Sequence, residues 1–218
     1  MVKRTVSYPI YAAAFVISLA IFVIGIYIGM QIDQASVRSI SDDVANISEK
    51  VASVQLLLLA EGNSSSFCPI YTEQLDSIDA DVERIGYKLS YLEDEKRIYD
   101  PELKKKYFVV EAESYLLSRK VNSLCGDDSA LLIHFYSNSG CEQCREQGAE
   151  VLKARDALAG EGIDLKLFSF DGELGSPVAE SFMAQYNVTA FPSVVINGRT
   201  YPGFHGSEDL AAYIKAAR

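Results

Sequence analysis

No charged residue occurs between Arg4 and Asp33, and this interval restricts what the chain can be more than any other feature. From Thr5 to Ile32 it reads TVSYPIYAAAFVISLAIFVIGIYIGMQI. A bilayer core takes about 20 apolar residues in helical form, so the run is long enough to span one. A cleaved secretory signal is the rival reading, with an apolar core of about 7–15 residues that ends at a small-residue cleavage site. Here the apolar stretch continues to Met30 and Ile32 without an Ala-x-Ala pattern at its end, which favours an uncleaved anchor over residues 1–32. Tyr8, Tyr11 and Tyr27 lie towards its ends, where amphipathic rings suit the membrane interface. Lys3 and Arg4 precede it, and the first basic residue after it is Arg38, among Asp33, Asp42 and Asp43. The positive-inside bias then predicts a single-pass protein of the cell membrane, with a cytoplasmic N-terminus and residues 33–218 outside. Asn-x-Ser/Thr acceptors at Asn46, Asn63 and Asn187 are compatible with that side.

Beyond the apolar run the pattern turns helical. Val37, Ile40, Val44, Ile47, Val51, Val54 and Leu58 alternate in steps of three and four, a heptad seam. It stops at Glu61-Gly62-Asn63-Ser64-Ser65-Ser66, a linker by composition. A second seam runs through Leu75, Ile78, Val82, Ile85, Leu89 and Leu92. At Tyr99-Asp100-Pro101-Glu102 a new helix starts, with Asp100 suited to cap it and Pro101 to its first position. Its seam is Leu103, Tyr107, Val110, Leu117, Val121 and Leu124, with Ser114 as a polar interruption, and Gly126 can end it. The short connection makes the second and third helices antiparallel neighbours, so Cys68 at one start meets Cys125 at the other end. A structural disulfide between them fits an oxidising compartment. An accessory redox pair that exchanges with other cysteines is the alternative. Residues 33–126 are therefore expected to form a helical stalk, either a coiled coil with a second copy or a three-helix bundle within one chain. Gly25-Ile26-Tyr27-Ile28-Gly29 favours a homodimer through the apolar segment.

The formal net charge of −10 argues against nucleic acid as a partner, because phosphate binding needs clustered Lys and Arg.

From residue 127 the periodicity changes. Strands are predicted at Ser129–Tyr136, Ile163–Phe170 and Ser193–Asn197, with a turn at Asn197-Gly198 into a short strand through Tyr201. Helices are predicted from Cys141 to about Ala159, from Pro177 to about Asn187, and from Ser207 to Ala217 with Ser207 as cap. The order is β-α-β-α-β-β-α. The first strand leads into Ser139-Gly140-Cys141-Glu142-Gln143-Cys144 at the head of a helix. Val188-Thr189-Ala190-Phe191-Pro192-Ser193 precedes the third strand, and Gly203-Phe204 the last helix. In this order and spacing the segment resembles the thioredoxin-like superfamily, over roughly residues 129–218. The resemblance implies an α/β thioredoxin fold and thiol–disulfide oxidoreductase activity on protein thiols and disulfides, with no cofactor. It also implies a cis-proline at Pro192, with Phe191 lining a substrate groove, and a membrane electron-transfer partner.

A thiolate at a helix N-terminus is stabilised by unpaired N–H groups and the helix dipole, so Cys141 is the expected nucleophile. Cys144, one turn later on the same face, would resolve the mixed disulfide. Two departures from the family stand out. There is no Trp, and Gly140 takes the place usual for one before the first cysteine. His134 stands where relatives carry a buried acid, and is either the general base for the second cysteine or a packed strand residue. Glu142 beside Cys141 opposes a strongly oxidising potential, within a range of roughly −270 to −120 mV for such pairs, whereas an outside location favours net oxidation, so the direction stays open between reductase, isomerase and oxidase. A zinc site would need four ligands, and His134 and His205 are the only histidines, so no metal is expected. The competing function is a redox-inert adaptor in which helices and thioredoxin fold serve binding alone.

Overall fold

The computed structural model describes residues 8–61 and 65–217. Lys3, Arg4, Asn63 and the Gly62–Ser64 part of the predicted linker lie outside the described residues. The chain divides into two compact units, Met1–Asp42 and Asp43–Arg218. The first is helical from Tyr8, the start of α1 (Tyr8–Glu61). Its apolar side chains, among them Phe15, Ile21 and Phe22, are exposed, and the helix is long and apolar enough to cross a membrane.

In the second unit, Val44, Ile47, Val51 and Val54 of α1 are buried. Ion pairs Asp43–Lys88 (2.7 Å) and Lys50–Asp81 lay this stretch antiparallel to α2 (Cys68–Asp94). Tyr71 and all six predicted seam residues of α2 are buried. The chain then reverses into α3 (Pro101–Cys125), where Asp100 Oδ1 accepts the Leu103 N–H at 3.0 Å and Gly126, at φ 68°, closes the helix. A left-handed residue at that place is the usual glycine terminator. Ser114, polar within its seam, donates to Asp79 of α2 at 2.5 Å.

α3 carries a second buried face. Phe108 packs edge-on against Phe170, and Tyr115 against Phe168 and Phe182. Two of these partners belong to a mixed sheet of β1 (Ala130–Tyr136), β2 (Leu165–Asp171), β3 (Ser193–Ile196) and β4 (Arg199–Pro202) in the order β2-β1-β3-β4. β1 and β2 are parallel, joined through α4 (Glu142–Gly160); β3 is antiparallel to both β1 and β4. α3 and α5 (Pro177–Tyr186) cover one face. On the other, Val151, Ala154 and Leu158 of α4 and Leu210 and Ile214 of α6 (Ser207–Ala216) enclose Ala130, Leu132 and Ile196. The β3–β4 turn has positive φ at both Asn197 and Gly198, as a two-residue hairpin turn requires. The predicted cap at Ser207 is displaced by one residue. Gly206, in an extended conformation, holds the cap position, and Ser207 is the first helical residue, its N–H donating to Glu150 Oε2 of α4 at 2.9 Å.

Candidate redox site

β1 ends at Tyr136, and five residues later the chain enters α4 at Cys141. The intervening loop is held by its own polar side chains. Ser137 Oγ donates to Ser139 O at 2.9 Å and accepts the Ser139 N–H at the same distance. It also meets the Glu173 carboxylate, and Asn138 donates to Asp171 at 3.1 Å. Gly140, at φ 69°, makes the final turn, a conformation that disfavours side chains. Cys141 is then the N-cap of α4 in an extended conformation, half-buried, and Cys144 lies buried one turn on. Their sulfurs are bonded. The Ser137 N–H points at Cys144 Sγ, 3.4 Å away.

His134 lies in the middle of β1, opposite Ser169 and Val194, and is buried. α4 passes over it at Gly148, where a Cβ would lie 3.8 Å from the imidazole Cε1. Gly148 follows Cys144 by four residues, on the same face of α4. His134 therefore sits beneath α4, one turn past Cys144. Its Nε2 is buried without a hydrogen-bond partner, and burial lowers its pKa to about 4. At neutral pH it is an uncharged imidazole.

The Phe191–Pro192 bond is cis, and Pro192 is buried. Ser193, the next residue, pairs with Phe135 of β1. The Phe191–Pro192 turn and the loop to Cys141 therefore occupy the same end of the sheet. Gly203 N–H donates to Pro192 O at 2.8 Å, which fixes the turn to the β4–α6 loop.

Cys68 and Cys125 are bonded to each other, at the open end of the α2–α3 hairpin. The Cys141–Cys144 bond is at the other end, because Arg145, next to Cys144, pairs with Asp94 at the end of α2 (3.8 Å). A 27-residue helix is about 40 Å long, so the two cystines are too far apart to exchange directly.

Sequence reasoning missed Gln147. It is fully buried in α4 and bonds the backbone of His205 twice, its amide N to the carbonyl O (3.1 Å) and its amide O to the N–H (2.7 Å). With Glu150 on Ser207, it clamps α4 to the loop before α6. A polar residue on the buried face of an otherwise apolar helix pattern was the available signal.

No family model matches the sequence, and none of the curated proteins matches it. Among solved structures, a chloroplastic thioredoxin z aligns at 13% identity over 46% of this chain and 88% of its own, with a TM-score of 0.35. The first thioredoxin domain of mouse protein disulfide-isomerase A4 aligns at 18% identity over 44% and 67%, with a TM-score of 0.33. Independently of these scores, the strand order β2-β1-β3-β4, the parallel β1-α4-β2 unit and the antiparallel β3–β4 hairpin give residues 130–216 a thioredoxin-like fold.

Proposed function

We propose that this chain is a membrane-tethered thiol–disulfide oxidoreductase acting on protein disulfides outside the cell membrane. The observation that carries the reading is the half-buried Cys141 at the cap of α4, bonded to a buried Cys144 behind it. In the reduced protein, the Cys141 thiolate gains the unpaired N–H groups and positive dipole of α4. It attacks one sulfur of a substrate disulfide and expels the other as a thiolate. Cys144 then attacks the mixed disulfide, restores the internal bond and releases the second substrate thiol. Two electrons pass from the pair to the substrate, and the reverse sequence oxidises a substrate dithiol. His134, kept uncharged by burial, does not hold an added proton at neutral pH, so the resolving thiol's proton passes to the departing substrate thiolate. Phe191 and Pro192 line the groove that takes the substrate peptide.

In this reading residues 1–32 are the anchor, 33–126 a helical spacer stapled by Cys68–Cys125, and 127–218 the redox domain. The pair is renewed by an integral-membrane dithiol or quinone-linked partner, and the Gly25–Gly29 face supports a homodimer. The test is acid trapping in cells expressing the full chain. Cys144→Ser should accumulate reducible protein adducts and Cys141→Ser almost none, and a membrane-impermeant thiol reagent should compete for the reduced pair in intact cells. Equal trapping by both variants would reverse the assignment of roles. Trapping by neither would leave the adaptor reading.

A further inference from the structure

Gly172 follows the last residue of β2 and has no positive φ, so backbone freedom does not account for it. Space does. A Cβ there would lie 2.2 Å from Phe191 Cζ, 2.4 Å from Phe191 Cε1 and 2.8 Å from Met183 Sδ. The Phe191 ring thus rests directly on the Gly172 backbone, with the Met183 thioether alongside. The sheet order gives this contact its meaning. Phe191 enters from the β3 side, Gly172 directly follows β2, and β1 lies between them. The ring must cross the end of β1, where Tyr136 O accepts the Gly172 N–H at 2.9 Å. The next residue, Ser137, is the one whose N–H points at Cys144 Sγ. Phe191 and Met183 both remain partly exposed. An aromatic ring and a thioether together make a polarizable, apolar platform.

We propose that Phe191 and Met183, seated on Gly172, form an apolar side-chain subsite beside the redox pair, so that the protein selects disulfides flanked by a large apolar residue. This rests on the oxidoreductase reading and specifies its substrate class. Gly172 is a positioning residue: it touches no substrate and acts by leaving room for the ring. Any side chain there lifts the ring off its seat and into the path of the incoming peptide.

The test uses the full chain in detergent, reduced and freed of reductant, and two disulfide-linked peptides. They differ only in having Leu or Ser next to one half-cystine. The readout is the ratio of their second-order rate constants with the protein, which becomes oxidised as the peptide disulfide is reduced to two thiols. The wild type should prefer the Leu peptide about tenfold, the discrimination a partly enclosed apolar pocket gives. Phe191→Ala should bring the ratio close to one. Gly172→Ala should also lower it, and in the Phe191→Ala background should lower it no further. Met183→Ala, which inserts no atom, should lower it partway, and so tests the platform should Gly172→Ala fold poorly. A wild-type ratio near one overturns the subsite. So does a Gly172→Ala effect that persists without the Phe191 ring. Failure of the wild type to react with either peptide would overturn the oxidoreductase reading instead.

Discussion

Glu111 and His134 are both buried and both uncharged at neutral pH, for the same reason and with opposite consequences. Burial raises the Glu111 pKa to about 8, with the Ser169 N–H (2.6 Å to Oε1) and nearby Lys104 only partly opposing it. Burial lowers that of His134 to about 4. Between about pH 4.5 and 8, the folded state holds a proton on Glu111 that the unfolded chain has released, so stability falls as pH rises. Between about pH 6.5 and 4, the unfolded chain gains a proton that folded His134 refuses, so stability falls as pH drops. The two slopes oppose each other below pH 6.5, and from there to pH 8 Glu111 acts alone. Urea titrations of the wild type should show stability declining over pH 6.5–8, and Glu111→Gln should flatten that decline. An unchanged slope in the variant would assign it elsewhere. The sequence disclosed one of these residues and hid the other. His134 could be found by counting back from Cys141. Glu111 sits in α3 among residues that read as a solvated face, and only the edge of β2 beside it explains its burial.

At the scale of elements, the helical seams were legible because apolar spacing reports the face a helix buries. Every predicted α2 seam residue is buried. The pattern in α3 was half legible. Its first face, towards α2, follows the heptad, but its second combines Phe108, Glu111, Ala112, Tyr115 and Ser118, and the polar members break the period. Gly86 shows a similar limit. In sequence it is a weak point in a helix, worth about 1 kcal/mol against Ala. In the structure a Cβ there would come 2.6 Å from Tyr107 Oη, which donates to Val82 O at 3.3 Å across the helix pair. Gly86→Ala should therefore destabilise the protein despite the gain in propensity. In a Tyr107→Phe background the same substitution should be neutral or stabilise by up to about 1 kcal/mol. Thermal melts of the four proteins decide the point, and additive effects would refute the contact.

For the whole molecule, charged residues that looked like solvent-facing decoration join the hairpin to the sheet. Lys166 of β2 reaches Asp79 (2.7 Å) and Asp76 (3.5 Å) of α2, and Arg155 of α4 reaches Glu83 (2.7 Å). No spacing rule pairs residues about 70–90 positions apart, so this association could not be read from the chain. The cystine at the open end of the hairpin could be, because two antiparallel helices must bring Cys68 and Cys125 together. Cys68→Ser should lower stability by about 4 kcal/mol in chemical denaturation, the chain-entropy value for a loop of this length, and leave Cys141 reactive. Loss of Cys141 trapping in that variant would make the staple part of the redox machinery. The two bonds also link the cysteines in simple succession, first with second and third with fourth. A chain that emerges from its N-terminus into an oxidising space presents them in that order. Under the proposed topology, an oxidant that joins each newly arrived thiol to its waiting predecessor makes both bonds correctly, and no later shuffling of partners is needed.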